Sequence, residues 1–424
     1  MKRIVAVALL LGSCGSAKAS PTGDSPTLPR TKSITTQSSA TIESTSSLPP
    51  VVDKTAGFPP RLALTTKDGQ VVTFAPHSEP VVTAAVVAPT GEVAVAATVT
   101  GGATTIEWHD LANDAVTASV TITGDFHPTA VAQDGKLVAL ISSAATATTV
   151  VLVTPADGEL RRWTFDSVLV PEAFANAFSP DSGGLPMGVF VIEYLAQHTY
   201  RVRVIDAATG QLGLPLNLRD KGQTVDEVMT AVSRTAVFDP DRQLLFTLYQ
   251  DASEGGENVG SFIHTLGLID GVWCLDVPTA LGLADHPGAL AVSPDGSRLY
   301  AASSIGGVAG YVVDDITNGE LAMPQARRTT ALHASSYHVA IAASNDEVVV
   351  ALGGELFRLD PVTLAVRDSF TWDMDVEALT VLNDGSIVIV GTGRMTLVSP
   401  HDQIVAERGL PALTSEVTRV AVVG

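Results

Sequence analysis

Two histidines stand in the same local setting and are the first candidates for chemistry. His127 and His286 each precede a proline, and an aspartate, Asp125 or Asp285, lies within two residues before each of them. A neutral imidazole ligates metals or acts as a general base, and a metal can activate water. The candidate catalytic residues are His127, His286, Asp285 and Glu172. In the competing interpretation, the His-Pro pairs only shape the entry to a strand.

An acidic segment with glycines offers a separate set of oxygen ligands. Residues 249–260 read YQDASEGGENVG. Carboxylate and amide oxygens in such loops are typical ligands of Ca²⁺. The candidate metal ligands are Asp251, Glu254, Glu257 and Asn258. The spacing is not that of an EF-hand, so a solvated acidic loop is the alternative. No cofactor is predicted; Ca²⁺ or another divalent metal is the class that these residues admit.

The two cysteines have different settings. Residues 1–14 read MKRIVAVALLLGSC, in which two basic residues precede a short apolar run. That run is too short to span a bilayer and is typical of a secretory signal. Cys274 lies in the strand-like run VWCLDV and is expected to be a buried, inert thiol.

The segment Leu11-Gly12-Ser13-Cys14 resembles the lipobox of bacterial lipoproteins. The resemblance implies a signal peptide over residues 1–13 and acylation of the Cys14 thiol, which is enough for stable anchoring. It also implies an extracytoplasmic protein held to the cell membrane by lipid, at the surface or in the periplasm. An ordinary signal cleaved near residues 17–19 is the alternative.

Composition separates a tether from a folded domain. Residues 20–50 are rich in Ser, Thr and Pro, so residues 14–57 are expected to form a disordered tether. The whole chain is 46% hydrophobic and 17% charged, enough apolar material for a large core over residues 58–424. A net charge of −20 excludes nucleic acid as a partner and leaves the lipid anchor as the only expected contact with the membrane.

One pattern repeats along residues 58–424 and positions these candidates. An apolar alternating strand ends in a turn of Pro, Asp and Gly, and two or three further strands follow. The turns are VVAPTG (86–91), VAQDG (131–135), FSPDSG (178–183), FDPDR (238–242), VSPDG (292–296), IAASND (341–346) and VLNDG (381–385). A period of roughly 40 to 60 residues with four strands per unit is typical of β-propeller blades.

The terminal strands decide the number of blades. VTRVAVV (417–423) is an eighth leading strand, whereas RLALTT (61–66) and QVVTF (70–74) have no leading strand of their own. We therefore expect an all-β propeller of four-stranded blades, closed by pairing of the N- and C-terminal strands, which hides two sheet edges. Eight blades are favoured, and seven is the alternative.

Two propeller families resemble parts of this repeat. VSPDGSRLYAAS (292–303) is similar to the inner strands of the YVTN/WD-repeat-like group. VIDAATGQL (204–212) and TPADGELRRW (154–163) are similar to the outer hairpins of the quinoprotein-like group. Both resemblances imply the fold, and a fold alone does not give a function.

The long insertions fall on one face of the expected ring. These insertions, 218–230, 249–260 and 323–336, join blades or lie in middle hairpins, and long loops usually carry function. This pattern favours a non-catalytic binding or scaffold module for an envelope protein, peptide or glycan. The alternative is a metal-dependent hydrolase or lactonase with its site at the channel mouth.

Overall fold

Strands make up almost all of the regular structure, as the abundance of Val and Thr predicts. One short helix, α1 (Val313–Asn318), occurs among the described residues. The computed structural model describes residues 58–59, 61–67, 69–74, 81–175, 188–196, 198–217, 223–231, 233–254, 257–269, 271–276, 287–304, 307–318, 328–332, 336–413 and 415–423. The predicted signal peptide and tether lie outside these residues.

The strands form antiparallel blades arranged in a ring. Blade 1 contains β1 (Leu62–Thr66), β2 (Gln70–Phe74) and the first part of β3 (Val81–Val87). Blade 2 contains the rest of β3, β4 (Val93–Thr100), β5 (Ala103–Asp110) and β6 (Ala115–Thr123). Blade 3 contains β7 (His127–Val131), β8 (Val138–Ser143), β9 (Thr148–Thr154) and β10 (Gly158–Phe165). Blade 4 contains β11 (Val168–Ala175), β12 (Gly188–Ala196), β13 (Thr199–Asp206) and β14 (Leu212–Gly213), and β15 (Met229–Thr230) links it to the next blade.

The second half of the ring repeats this arrangement. Blade 5 contains β16 (Ser233–Asp239), β17 (Leu244–Glu254), β18 (Glu257–Gly267) and β19 (Gly271–Asp276). Blade 6 contains β20 (Gly288–Val292), β21 (Arg298–Ser303), β22 (Gly307–Val312) and β23 (Arg328–Ala331). Blade 7 contains β24 (Val339–Ala343), β25 (Val348–Leu352), β26 (Glu355–Leu359) and β27 (Val366–Thr371). Blade 8 contains β28 (Val376–Val381), β29 (Ile387–Gly391), β30 (Arg394–Val398) and β31 (Ile404–Gly409), and β32 (Val417–Val422) returns to blade 1.

The ring closes through the two ends of the described chain. β32 pairs antiparallel with β1, and Leu62 lies opposite Val422. β32 is thus the innermost strand of blade 1, outside which β1, β2 and the first part of β3 follow. The terminal strands therefore complete a blade of their own, which confirms the predicted closure and eight blades rather than seven.

Each pair of neighbouring blades shares one apolar core. There are eight such cores around the described ring, and all are built from both blades of the pair. Between blades 2 and 3, for example, buried Trp108 packs in one cluster with Val138 and Leu140. A single blade buries only part of its apolar surface, so stability comes from stacking blades side by side.

Two kinds of turn recur at one face of the ring. Between the first and second strands of a blade, the predicted Pro/Asp/Gly turns form with a left-handed residue, such as Gly135 (φ 70°) or Gly296 (φ 65°). Between the third and fourth strands, an aspartate accepts hydrogen bonds from the backbone amides two and three residues later. The aspartates of this second type are Asp110, Asp206 and Asp360. The predicted turn at 178–183 lies outside the described residues.

One buried arginine ties blades 7 and 8 together at that face. Arg358 of β26 donates to both Glu347 carboxylate oxygens at 2.7 and 2.8 Å, and to Asp402 Oδ1 of blade 8 at 3.0 Å. Burial alone would lower the pKa of Arg358, but these two carboxylates outweigh it and raise that pKa. The guanidinium is thus a charged link between two blades in a site largely closed to water.

Candidate functional site

A central channel of about 2360 Å³ runs through the ring, and the innermost strands of the blades form its wall. Small and branched apolar residues dominate this wall, as in the runs Ala289–Val292 and Val339–Ala343. Ligand sites of this kind are concave and mostly apolar, with a few placed polar groups. The functional question is therefore which polar groups reach the channel and which of them are already paired.

At one end of the channel, the turns that follow the innermost strands use their own carboxylates. Asp134 accepts from the Lys136 amide at 3.0 Å, and Asp384 accepts from the Ser386 amide at 2.9 Å. Buried Asp239 accepts from two backbone amides of its own turn at 3.1 Å. These carboxylates stabilise turns, so they explain the acidic residues at this end without a ligand.

The opposite end is the face that carries the predicted insertions, here called the insertion face. Tyr337 lies just before β24, lines the channel mouth and is 81% exposed. Beside it, the His338 imidazole is 3.8 Å from the Asp375 carboxylate. Glu416 and Lys67 meet at the same rim, where the Lys67 amide donates to the Glu416 carbonyl at 2.9 Å. An exposed aromatic ring among charged groups is typical of a contact surface rather than of a core.

Glu377 has a structural role at the insertion face. Its Oε2 accepts from the Val417 amide at 2.9 Å, and its Oε1 accepts from the Thr392 hydroxyl at 3.0 Å. The first bond joins β28 of blade 8 to the start of β32. Glu377 therefore supports the closure of the ring.

Arg419 carries a positive charge inside the channel. It lies on β32 opposite Thr65 of β1, and its side chain lines the channel. The side chain is exposed to the channel, and desolvation by the surrounding protein lowers the pKa of the guanidinium. Among the described residues, none gives Arg419 a salt bridge or a side-chain hydrogen bond.

The structure places two of the four predicted catalytic candidates. Half-buried Glu172 interrupts the pairing of β11 with β12 at a bulge and lines the channel. His127 is the exposed first residue of β7; Thr129 and Val131 of the same strand line the channel, whereas His127 does not. Asp285 and His286, like the predicted lipidation site Cys14, lie outside the described residues. A catalytic role for this set stays a prediction.

The predicted acidic loop at 249–260 is instead a long hairpin, and this expectation was wrong. β17 and β18 extend through it, with Ser253 opposite Asn258 and Glu254 opposite Glu257. Gly255-Gly256 is a two-residue hairpin signal, which the open-loop interpretation overlooked. The side chains of Asp251, Glu254, Glu257 and Asn258 are not described, so metal binding there stays a prediction.

The described part of the chain contains neither a cluster of metal ligands nor a membrane-spanning helix. It holds no group of three or more His, Cys, Asp and Glu residues close enough to share a metal ion. Within the same residues, no helix has the length and apolar character needed to cross a membrane.

Sequence reasoning missed Tyr337, His338 and Arg419. The signal for Arg419 was present, because a single arginine interrupts the otherwise apolar run VTRVAVV of an expected innermost strand. Tyr337 and His338 precede an innermost strand, as His127 and His286 were expected to do. Their position at the mouth depends on the ring geometry and not on a motif.

No protein-family model and no curated protein sequence matches the chain. Dihydro-heme d1 dehydrogenase NirN in complex with DHE is 14% identical, with a TM-score of 0.49 over 85% of this chain and 75% of that chain. Apo AztD from Citrobacter koseri is 10% identical, with a TM-score of 0.47 over 86% and 97%. BamB from Moraxella catarrhalis is 17% identical, with a TM-score of 0.42 over 76% and 84%. Similarities this low carry no argument about function; the blades and their closure show this chain to be an eight-bladed β-propeller.

Proposed function

We propose that this protein is a non-catalytic binding module that holds a partner of the cell envelope on its insertion face, at the channel mouth. The partner is a protein, a peptide or a glycan. The observation that carries the proposal is Tyr337, whose ring is 81% exposed at the mouth of a wide channel. Burying such a ring against a partner gains apolar contact and a hydrogen bond from its hydroxyl at little entropic cost.

The surroundings of Tyr337 fit a contact surface. His338, the next residue along the chain, and Asp375 add an imidazole and an exposed carboxylate that lie 3.8 Å apart. Glu416 and Lys67 add charges of both signs at the same rim. An apolar centre with a polar, charged border is the usual anatomy of a protein interface.

A photo-crosslinking amino acid at position 337 tests this proposal in intact cells. We expect a discrete crosslinked species from position 337. The matched control is position 366 on β27, the outermost strand of blade 7, where Val366 is 47% exposed on the outer circumference of the ring. Absence of a product at 337, or the same product at 366, would contradict binding at the mouth.

The envelope location is a separate part of the proposal and depends on Cys14. If the lipobox resemblance holds, cells fed labelled palmitate will label the wild-type protein and leave Cys14→Ser unlabelled. The Cys14→Ser protein should also leave the membrane fraction. The matched control, Cys274→Ser, removes the other cysteine and should keep the label. Equal labelling of wild type and Cys14→Ser would exclude acylation at this residue.

The metal-dependent hydrolase stays an alternative prediction. Glu172 is the one of its four candidate residues that the described structure places on the channel wall. Stoichiometric metal in the purified full-length protein that is lost in Glu172→Gln would favour it.

A further inference from the structure

Arg419 is a positive charge inside the channel that forms no salt bridge with any described residue. Arg419 and Lys67 are the only arginine and lysine among the described residues that line the channel. Lys67 is at the exposed rim, in the hairpin between β1 and β2. Arg419 lies in the middle of β32, between the two ends of the channel.

The carboxylates that line the channel do not pair with Arg419. Burial is the sole cause of its lowered pKa, and no acidic group acts against that effect. Asp134, Asp239 and Asp384 bond their own turns at one end, and Glu377 bonds the start of β32 and Thr392 at the other. The guanidinium is thus a donor with five N–H groups in partly desolvated surroundings.

Because Arg419 is exposed to the channel and has no partner there, its N–H donors are open to a ligand that enters the channel. The wall around it is mainly apolar, from runs such as Ala289–Val292 and Val339–Ala343. A planar guanidinium recognises a carboxylate through two parallel hydrogen bonds. The acidic rims repel polyanions more strongly than monoanions, because the repulsion scales with the charge of the ligand.

We propose that the channel is a binding site for a small organic monoanion, in which Arg419 pairs with the anionic group and the apolar wall contacts the rest of the ligand. The ligand class is a carboxylate with an apolar body. The site goes beyond the proposed function, because it lies inside the channel and does not require a partner at Tyr337.

The test measures binding of 2-naphthoate to the full-length protein by calorimetry, in a Tris chloride buffer free of competing organic anions. Its neutral analogue, 2-naphthamide, has the same apolar body without the charge. We expect wild type to bind naphthoate with a stoichiometry of one and to bind naphthamide about tenfold or more weakly. Inorganic phosphate should not displace naphthoate at equal concentration.

Three variants assign the site. Arg419→Gln should lose the preference for naphthoate while keeping weak binding of both compounds, and Arg419→Lys should keep part of the preference. Lys67→Gln is the matched control, since it removes one positive charge from the channel mouth and should leave the preference intact. Circular dichroism and the melting temperature confirm that each variant folds.

Several results would overturn the inference. These are equal binding of naphthoate and naphthamide by wild type, no saturable binding at millimolar naphthoate, and an unchanged preference in folded Arg419→Gln. The comparison of the two compounds on wild type decides the matter even if Arg419→Gln does not fold. Failure of crosslinking at Tyr337 with retained naphthoate preference would reject the partner on the insertion face and keep the channel site.

Discussion

We expect the buried imidazole of His264 to make the stability of the fold depend on pH. His264 of β18 is 3% exposed, lies against Tyr249, and its Nδ1 has no hydrogen-bond partner among the described residues. Burial lowers the pKa of His264 to about 4. Between the ordinary histidine pKa near 6.5 and this value, the unfolded chain binds a proton that the folded chain does not, so stability falls as pH falls.

His264→Leu should remove this dependence. From pH 7 to pH 5 we expect wild type to lose about 2 kcal/mol of unfolding free energy more than the variant does. Denaturant titrations at both pH values measure the difference. The matched control is His401→Leu, in an exposed turn, which should retain the wild-type slope. Parallel slopes for wild type and His264→Leu would contradict the assignment.

Buried Arg358 is expected to contribute strongly to the stability of the fold. Arg358→Met leaves the partly buried Glu347 and Asp402 carboxylates without their cation. Breaking such a link from one side is strongly destabilising, and we expect a loss of about 3 kcal/mol. Chemical denaturation measures it. Arg367→Met is the control, because that ion pair with Asp360 is on the exposed surface and should cost under about 1 kcal/mol.

Among the elements, the turns are where single residues most directly determine the backbone conformation. Gly210 (φ 75°) closes the turn after β13, and a β-carbon there would clash with the ring of Trp163 from blade 3. Gly210→Ala should therefore destabilise more than backbone strain alone explains. Gly91→Ala is the matched control, since Gly91 (φ 80°) has the same kind of backbone but open space around it.

The difference between these two alanine variants isolates the contact between blades 3 and 4. We expect Gly91→Ala to cost about 1 kcal/mol and Gly210→Ala about 1 to 3 kcal/mol more. Thermal melts of both proteins measure the costs. Equal losses would mean that the indole ring moves aside freely.

The turns were predictable because their chemistry is local. Gly135, Gly296 and Gly385 take the left-handed backbone that the Asp-Gly pattern requires. The hairpin of β17 and β18 was misread because its acidic residues favoured a metal loop, although Gly255-Gly256 favours a tight turn. In that case the acidic composition of the segment was given more weight than the position of its two glycines.

At the scale of the whole molecule, the ring depends on β32. Val420 is 6% exposed in the core between blades 8 and 1, whereas Val422 of the same strand is 46% exposed. Val420→Asp should cost about 3 kcal/mol or more, since it places an unpaired charge in that core. Val422→Asp should cost under about 1 kcal/mol. Chemical denaturation and light scattering measure the loss of stability and any association through the released edge of β1; equal effects would contradict closure by β32.

The blade number and the closure could be predicted, because a repeat of strands and turns specifies them along the chain. The site could not, because its members come from distant parts of the sequence. Tyr337, Lys67 and Arg419 line one channel only when eight blades form a ring, and none belongs to a motif. The charge of Arg419 in an apolar strand was the one local sign of the channel chemistry.

The pairing of β1 with β32 also sets an order for folding. Leu62 and Val422 are partners across almost the whole described chain, and a loop of that length closes slowly. During synthesis, β1 and β2 emerge long before β32, and their blade is incomplete until β32 follows. The apolar edge of β1 therefore stays unpaired until β32 has been synthesised, and this protein should depend on holding chaperones more than its final stability suggests.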